Sequence, residues 1–204
     1  VNNPSFDNVA HRKAYQLSVA QEIGLRIPET CITSNPTDAK HFLNDSRIEK
    51  KICKSFSATV EEWRETRLVT EEEEKMLPNV KYAPVIFQEY IEAQYDIRIT
   101  VIGEHIFPAA IYSQETEYKI DMRMDIGNAR MEAITLPKEI QDKLMLLMKK
   151  LGLVYGAIDF RLTPEGEYVF LEINPAEGAP GLKSKDAQLK LPRLEPLMQK
   201  AGAY

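Results

Sequence analysis

Apolar residues recur at helical spacing in three stretches of the chain. From Asp7 to Ile23 they lie three or four positions apart, and Gly24 follows as a helix stop. The stretch from Leu136 to Leu151 has the same period and ends before Gly152. A weaker repeat runs from Leu189 to Ala201. The pattern predicts a helix in each stretch.

Strand-like runs rich in β-branched residues occupy the middle of the chain. Val85 to Tyr90 reads as a buried strand, and two further runs, Asp96 to Ile102 and Ile106 to Tyr112, flank the turn signal Gly103-Glu104. Shorter strands are predicted around residues 31–33 and 48–56, with an acidic helix capped by Thr70 between them and the buried strand. The predicted fold class is α+β with antiparallel sheets.

A second hairpin is predicted from Tyr155 to Pro175. Apolar residues fill both arms, and Thr163-Pro-Glu-Gly166 between them is a turn, because proline presets φ and glycine tolerates positive φ. If Leu162 faces Glu167 across this turn, Asp159 lies opposite Phe170. Alternation then predicts that Phe170, Glu172 and Asn174 share the sheet face of Asp159.

The oxygen atoms of Asp159, Glu172 and Asn174 would converge on that face. Two carboxylates and an amide oxygen suit Mg²⁺, which proteins hold through one or two carboxylates together with substrate phosphates. The arrangement therefore indicates a nucleotide site with Mg²⁺. The alternative interpretation is that these side chains are the solvated polar ends of an ordinary hairpin.

Composition narrows the function classes. The chain has 204 residues, 44% of them hydrophobic, and a net charge of −5, so we expect a globular protein that does not bind nucleic acid. No apolar run approaches the ~20 residues that span a membrane, and we expect a soluble, cytoplasmic protein. Cys31 and Cys53 are too isolated for a disulfide framework or a structural zinc site. The start at Val1 suggests a fragment or a processed product.

Several polar side chains beside predicted strands are further candidates. Lys54 could project from a strand toward a phosphate, although an exposed edge lysine has the same pattern. Lys13 on the first helix is a weaker candidate of the same kind. Gln88 to Ile91 ends a buried strand, where backbone groups could bind an adenine edge.

Charged residues two positions apart form two more candidate groups. They are Asp96 with Arg98, and Asp121 with Arg123 and Asp125. On strands, each group would line one face, where cross-strand charge pairing is an alternative explanation. Taken together with the lysines, they supply charges suited to phosphates.

In this order, the motifs resemble the ATP-grasp superfamily. The chain is most similar to the microviridin-type (graspetide) ligases that modify ribosomal peptides, and more distantly to the ribosomal-protein glutamate ligases. The matching segments are Asn3-Pro4, Gln16-Leu17, Gly24-Leu25-x-Ile27-Pro28, Tyr90-Ile91 followed by Asp96-Ile-Arg98, Asp121-x-Arg123-x-Asp125, Gly156-Ala-Ile-Asp159 and Glu172-Ile-Asn174.

The resemblance implies two α+β subdomains whose antiparallel sheets clasp ATP. It places them at residues 1–91 and 92–204, without the additional N-terminal domain of the peptide ligases. The implied ATP-binding residues are Lys13, Lys54, Gln88, Glu89, Tyr90, Ile91, Asp96, Arg98 and Asp125, of which Asp96 would approach the ribose. The implied Mg²⁺ ligands are Asp159, Glu172 and Asn174, and Asp121 and Arg123 are implied to handle the acceptor carboxylate.

The implied activity is ADP-forming ligation. A peptide or protein carboxylate would be phosphorylated by ATP and attacked by an amine or a hydroxyl, which gives an amide or an ester. Addition of glutamate to a protein is the alternative reaction, and a non-catalytic nucleotide-binding module is the alternative class. The expected partners are ATP and the peptide or protein substrate, with a homodimer as a further candidate.

Overall fold

Two antiparallel sheets and five α-helices make up the computed structural model, which describes residues 2–55, 66–116, 119–120 and 127–175. The helices are α1 (Pro4–Ala10), α2 (Lys13–Glu22), α3 (Pro36–Leu43), α4 (Glu71–Lys75) and α5 (Lys138–Leu151), with 3₁₀ turns at Leu77–Tyr82 and Ser113–Glu115. The strands are β1 (Thr30–Thr33), β2 (Lys51–Ser55), β3 (Arg67–Leu68), β4 (Val85–Glu89), β5 (Tyr95–Ile102), β6 (His105–Ile111), β7 (Met131–Ala133), β8 (Tyr155–Leu162) and β9 (Tyr168–Asn174). The α+β prediction is confirmed.

The first sheet has the strand order β1-β4-β2-β3, and the second has the order β7-β6-β5-β8-β9. Every pair of neighbours within the two sheets is antiparallel. The turn predicted at Gly103-Glu104 joins β5 to β6, and Gly103 has the positive φ, 59°, that such a turn favours. Residues 90–94 connect β4 of the first sheet to β5 of the second.

The predicted helix from Asp7 to Ile23 is two helices. Helix α1 ends at Ala10, and α2 begins at Lys13 after an extended residue, Arg12. The side chain of Gln16 explains how the break is tolerated, because its Nε2 donates to the carbonyl of Ala10 at 2.5 Å. The acidic helix predicted after Thr70 is confirmed as α4, which begins with a capping box.

Helices α1, α2 and α5 pack on the second sheet. Their core is formed by side chains such as Ala10, Leu17 and Leu147 against Ile97 and Phe160. The sequence boundary at residue 91 assigned α1 and α2 to the subdomain of the first sheet, whereas their apolar faces are buried with the second. The first sheet packs against α3 and the Leu77–Tyr82 turn through a separate core of Ala39, Leu43, Cys53, Val80 and Phe87.

The hairpin of β8 and β9 has a different register from the predicted one. Leu162 pairs with Tyr168, Phe160 pairs with Phe170, and a β-bulge then brings Glu172 opposite Asp159. The prediction that Phe170 shares a face with Glu172 is therefore wrong. The bulge adds one residue between them, so that Phe170 packs edge-on against Phe160 in the core while Glu172 lies beside Asp159.

None of the helices within the described ranges is long and apolar enough to cross a membrane.

Candidate functional site

A cleft lies between the two sheets and is lined by residues of both. About 640 Å³ of empty space lies in the cleft when the open solvent at its mouth is counted. The lining residues are Lys13, Ile52, Lys54, Thr66, Gln88, Glu89, Ile91, Asp96, Ile120, Asp159, Arg161, Leu171 and Glu172. The structure thus brings together residues that the sequence separates by up to 159 positions.

Two ion pairs form one end of the cleft, which we call the cation end. Lys13 Nζ donates to Glu172 Oε2 at 2.6 Å, and Arg98 Nε lies 2.6 Å from Asp159 Oδ1. Because Arg98 pairs with Asp159 across β5 and β8, and Asp159 pairs with Glu172 across β8 and β9, the charges lie in one row across the sheet. Asn174 Nδ2 lies 3.4 Å from Glu172 Oε1.

The donor chemistry of the cation end fits Mg²⁺. Among the described residues, no group of three or more histidine, cysteine, aspartate or glutamate side chains is placed to hold a metal by itself. Asp159, Glu172 and Asn174 would supply two carboxylates and an amide oxygen, and Mg²⁺ is usually held by one or two carboxylates together with phosphates. Asp159 is 3% exposed, so a cation beside it would offset part of the cost of burying its charge.

Lys54 lies on the opposite wall of the cleft, in the first sheet. Its Nζ donates to Gln88 Oε1 at 2.9 Å, and Gln88 Nε2 donates to Thr30 Oγ1 at 2.8 Å. The buried amide of Gln88 therefore orients the lysine. The predicted pair of lysines is placed at the same cleft, Lys13 on the second sheet's helix and Lys54 on the first sheet.

The strand end predicted to bind adenine is the connection between the sheets. The carboxylate of Glu89 accepts from Arg26 Nη2 at 3.0 and 3.1 Å and from the amide of Glu29 at 3.0 Å, so its side chain is used to hold the strand end. The amide of Tyr90 donates to the carbonyl of Lys50 at 2.9 Å. The backbone of this segment is thereby fixed beside the cleft.

Asp96, which was expected to approach a ribose, is 1% exposed and takes part in a buried ion pair. Its Oδ1 accepts from Arg161 Nε at 2.9 Å, and its Oδ2 accepts from the hydroxyl of Ser113. Both carboxylate oxygens thus have protein partners. Asp96 still lines the cleft.

Arg161 is a charged residue of the cleft that sequence reasoning missed. It is 5% exposed, and its Nη1 donates to the carbonyl of Ile91 at 2.7 Å while its Nη2 donates to the carbonyl of Ile120 at 2.8 Å. One guanidinium therefore joins β8, β5, the connection between the sheets and residues 119–120. The sequence could have indicated that Arg161 lies at the cleft. It stands two residues after Asp159 on a predicted strand, and this spacing places both side chains on one face.

The other predicted residues fall into two groups. Tyr90, Arg98 and Asn174 flank the lining residues, and the guanidinium of Arg161 lies 5.3 Å from the ring centre of Tyr90. Asp121, Arg123 and Asp125, as well as the helix predicted over 189–201, lie outside the described residues.

Neither thiol is placed as a nucleophile. Burial raises the pKa of Cys53, which lies in the core of the first sheet, and also raises the pKa of the half-buried Cys31. Both thiols are therefore shifted toward the protonated form, which is unreactive. The chemistry of the cleft is that of cations and carboxylates.

Solved structures share this architecture. The macrocyclase MdnC of Microcystis aeruginosa, solved with its precursor peptide MdnA, is 37% identical with a TM-score of 0.77, over 87% of this chain and 56% of that one. A peptide-modifying ATP-grasp ligase of Chryseobacterium gregarium, solved with ADP and a leader and core peptide, is 31% identical with a TM-score of 0.78, over 97% of this chain and 62% of that one. The chain belongs to the ATP-grasp superfamily.

The ATP-grasp fold extends to more distant enzymes. The D-alanine–D-alanine ligase of Bacillus anthracis, solved with ATP, shares the fold at 19% identity and a TM-score of 0.63, over 92% of this chain and 64% of that one. The chain spans somewhat more than half the length of the two peptide-modifying ligases. A scan against protein-family models gives no match, and a comparison with curated proteins gives none either.

Proposed function

We propose that this chain is the ATP-binding part of an ADP-forming ligase that joins a peptide or protein carboxylate to an amine or a hydroxyl. The observation that carries the proposal is the row of charges from Arg98 through Asp159 to Glu172 and Lys13, set in a cleft between the two sheets of an ATP-grasp fold. The two peptide-modifying ligases, solved with precursor peptides, support a peptide as the substrate.

The proposed reaction has two steps. A carboxylate oxygen of the substrate attacks the γ-phosphorus of ATP, the bond to the β-phosphate breaks, and ADP leaves. An amine or a hydroxyl then attacks the acyl phosphate, inorganic phosphate leaves, and the nucleophile's proton is released to solvent. Phosphoryl transfer demands positioning and charge neutralisation rather than a protein nucleophile.

The proposed role of each cleft residue follows from its position. Lys13 and Lys54, on opposite walls, would neutralise phosphate oxygens, and the backbone of residues 89–91 would hold the adenine. Mg²⁺, held by Asp159, Glu172 and Asn174, would add positive charge at the transferred phosphoryl group. For the ribose, Asp96 remains our proposal, with its carboxylate oriented by Arg161.

The proposal is tested by assaying Mg²⁺-dependent ADP release with candidate precursor peptides and by weighing the products. Loss of one water per bond identifies internal cross-linking, which we expect. Stepwise gain of amino-acid residues would identify glutamate addition instead. Nucleotide binding without ADP release from any peptide would identify a binding module and overturn the proposal. The homodimer and the cytoplasmic location stay predictions.

Arg123 is our proposed contact for the acyl phosphate. We expect Arg123→Lys to retain ATP binding and to lose ligation, because the planar fork of arginine can hold two oxygens at once and an ammonium cannot. ATP affinity by calorimetry and product formation by mass spectrometry measure the two effects separately. Arg12→Lys, at the exposed residue between α1 and α2, is the control. Turnover of Arg123→Lys at the wild-type rate would remove this role.

A further inference from the structure

The outer edge of β9 is covered by groups that belong to no strand. β9 ends the second sheet, and an edge strand normally leaves a row of backbone groups without a strand partner. Here the amide of Phe170 donates to the carbonyl of Arg26 at 2.8 Å, and the carbonyl of Pro175 accepts from Asn2 Nδ2 at 2.6 Å. Between these two contacts lies Ile173, and its partner is the side chain of Gln16.

Gln16 binds Ile173 as a neighbouring strand would. Its Nε2 donates to the carbonyl of Ile173 at 2.7 Å, and its Oε1 accepts from the amide of Ile173 at 3.1 Å. With the bond from Nε2 to Ala10, the buried amide makes three hydrogen bonds to backbone, and the residue is 3% exposed. A side chain held in this way is a rigid support for the strand.

Ile173 is the residue between Glu172 and Asn174. Fixing its amide and its carbonyl therefore fixes the backbone from which both proposed Mg²⁺ ligands project. The same helix also reaches Glu172 directly, because Lys13 lies one turn before Gln16 on α2 and donates to the carboxylate. Helix α2 thus holds the ligand segment through its backbone and through a ligand side chain.

We propose that Gln16 is a positioning residue for the cation end, which sets the orientation of Glu172 and Asn174 without contacting the metal or the nucleotide. The inference rests on the proposed function, since it concerns the ligands of that site. Its physical basis is that groups outside the ligand set orient the ligands, and losing one typically lowers metal affinity about 10- to 100-fold.

A role in folding alone is the competing explanation, because any loss of three buried hydrogen bonds lowers stability. The two roles differ in how nucleotide binding depends on Mg²⁺. A positioning residue changes the Mg²⁺ concentration needed for tight binding, whereas a residue important only for folding changes the melting temperature and leaves that concentration unchanged.

The test uses the full chain with Gln16→Met, which keeps the length of the side chain, and Gln16→Glu, which keeps the acceptor for the amide of Ile173 and loses the donor. Gln21→Met, at an exposed position of the same helix, is the control. ADP affinity is measured by calorimetry across a Mg²⁺ series and without Mg²⁺, and hydrogen exchange is followed in the peptide covering residues 171–175.

For both Gln16 variants we expect the Mg²⁺ midpoint to rise about tenfold or more, with wild-type ADP affinity in the absence of Mg²⁺ and faster exchange at residues 171–175. The control should match wild type. An unchanged midpoint in a variant with a lower melting temperature would overturn the inference and leave the proposed function standing. If the ADP affinity of the wild-type chain did not change with the Mg²⁺ concentration, both the inference and the proposed function would be wrong. Should Gln16→Met fail to fold, Gln16→Glu decides by the same criteria.

Discussion

Replacing Glu172 with Gln should lower Mg²⁺-dependent ADP formation about 10²- to 10³-fold, the usual cost of removing one preorganised charge contact from a transition state. The substitution keeps the shape of the side chain and a hydrogen bond to Lys13, but it removes one of the two carboxylates at the cation end. A Mg²⁺ ion would then have one anionic protein ligand, Asp159. Steady-state ADP release at several Mg²⁺ concentrations measures the effect.

The matched control is Glu165→Gln, at an exposed position in the turn of the same hairpin. It removes the same charge from the chain and should keep wild-type activity. If Glu172→Gln were as active as this control, Glu172 would have no part in binding the cation, and the proposed metal site would be wrong.

Replacing Arg161 with Met should destabilise the fold by about 3–5 kcal/mol, the typical effect of breaking a buried ion pair from one side. The substitution leaves the carboxylate of Asp96 buried without its cation, and it removes the donors to the carbonyls of Ile91 and Ile120. Chemical denaturation followed by circular dichroism measures the free energy of unfolding.

Two further variants separate the buried charge from the size of the side chain. Arg130→Met removes an arginine from exposed ion pairs with Glu115 and Glu132, and it should cost much less stability than Arg161→Met because solvent screens exposed pairs. Asp96→Asn combined with Arg161→Met removes both charges and should recover part of the lost stability. A loss for Arg161→Met no greater than that for Arg130→Met would contradict the stabilising role of the pair.

Local sequence signals predicted most of the elements correctly. Glycine at a hairpin turn, threonine before an acidic run and apolar residues at helical spacing act within a few residues. Within the described residues, the corresponding elements formed near the predicted positions. The break between α1 and α2 was missed because it depends on Gln16, a side chain whose partners include Ile173 in a distant strand.

Sequence reasoning named most of the charged side chains that line the cleft, but it did not give their arrangement. Asp159 and Glu172 do lie side by side, but by way of a bulge that alternation does not reveal. The bulge depends on tertiary packing. Phe170 is buried against Phe160 in the core while Glu172 lines the cleft, so these two side chains must face opposite sides of the sheet. Arg161 was missed for a similar reason, since its partners come from three separate segments.

The cleft residues belong to two different sheets, so a motion of one sheet relative to the other would change only some of the distances between them. Lys13 is carried by a helix packed on the second sheet, together with Arg98, Asp159 and Glu172. Lys54, by contrast, moves with the first sheet. A rotation of one sheet relative to the other about residues 90–94 would therefore open or close the distance between the two lysines and leave the ion pairs of the cation end intact. Closure on a nucleotide would then amount to bringing one lysine to a preassembled group of charges.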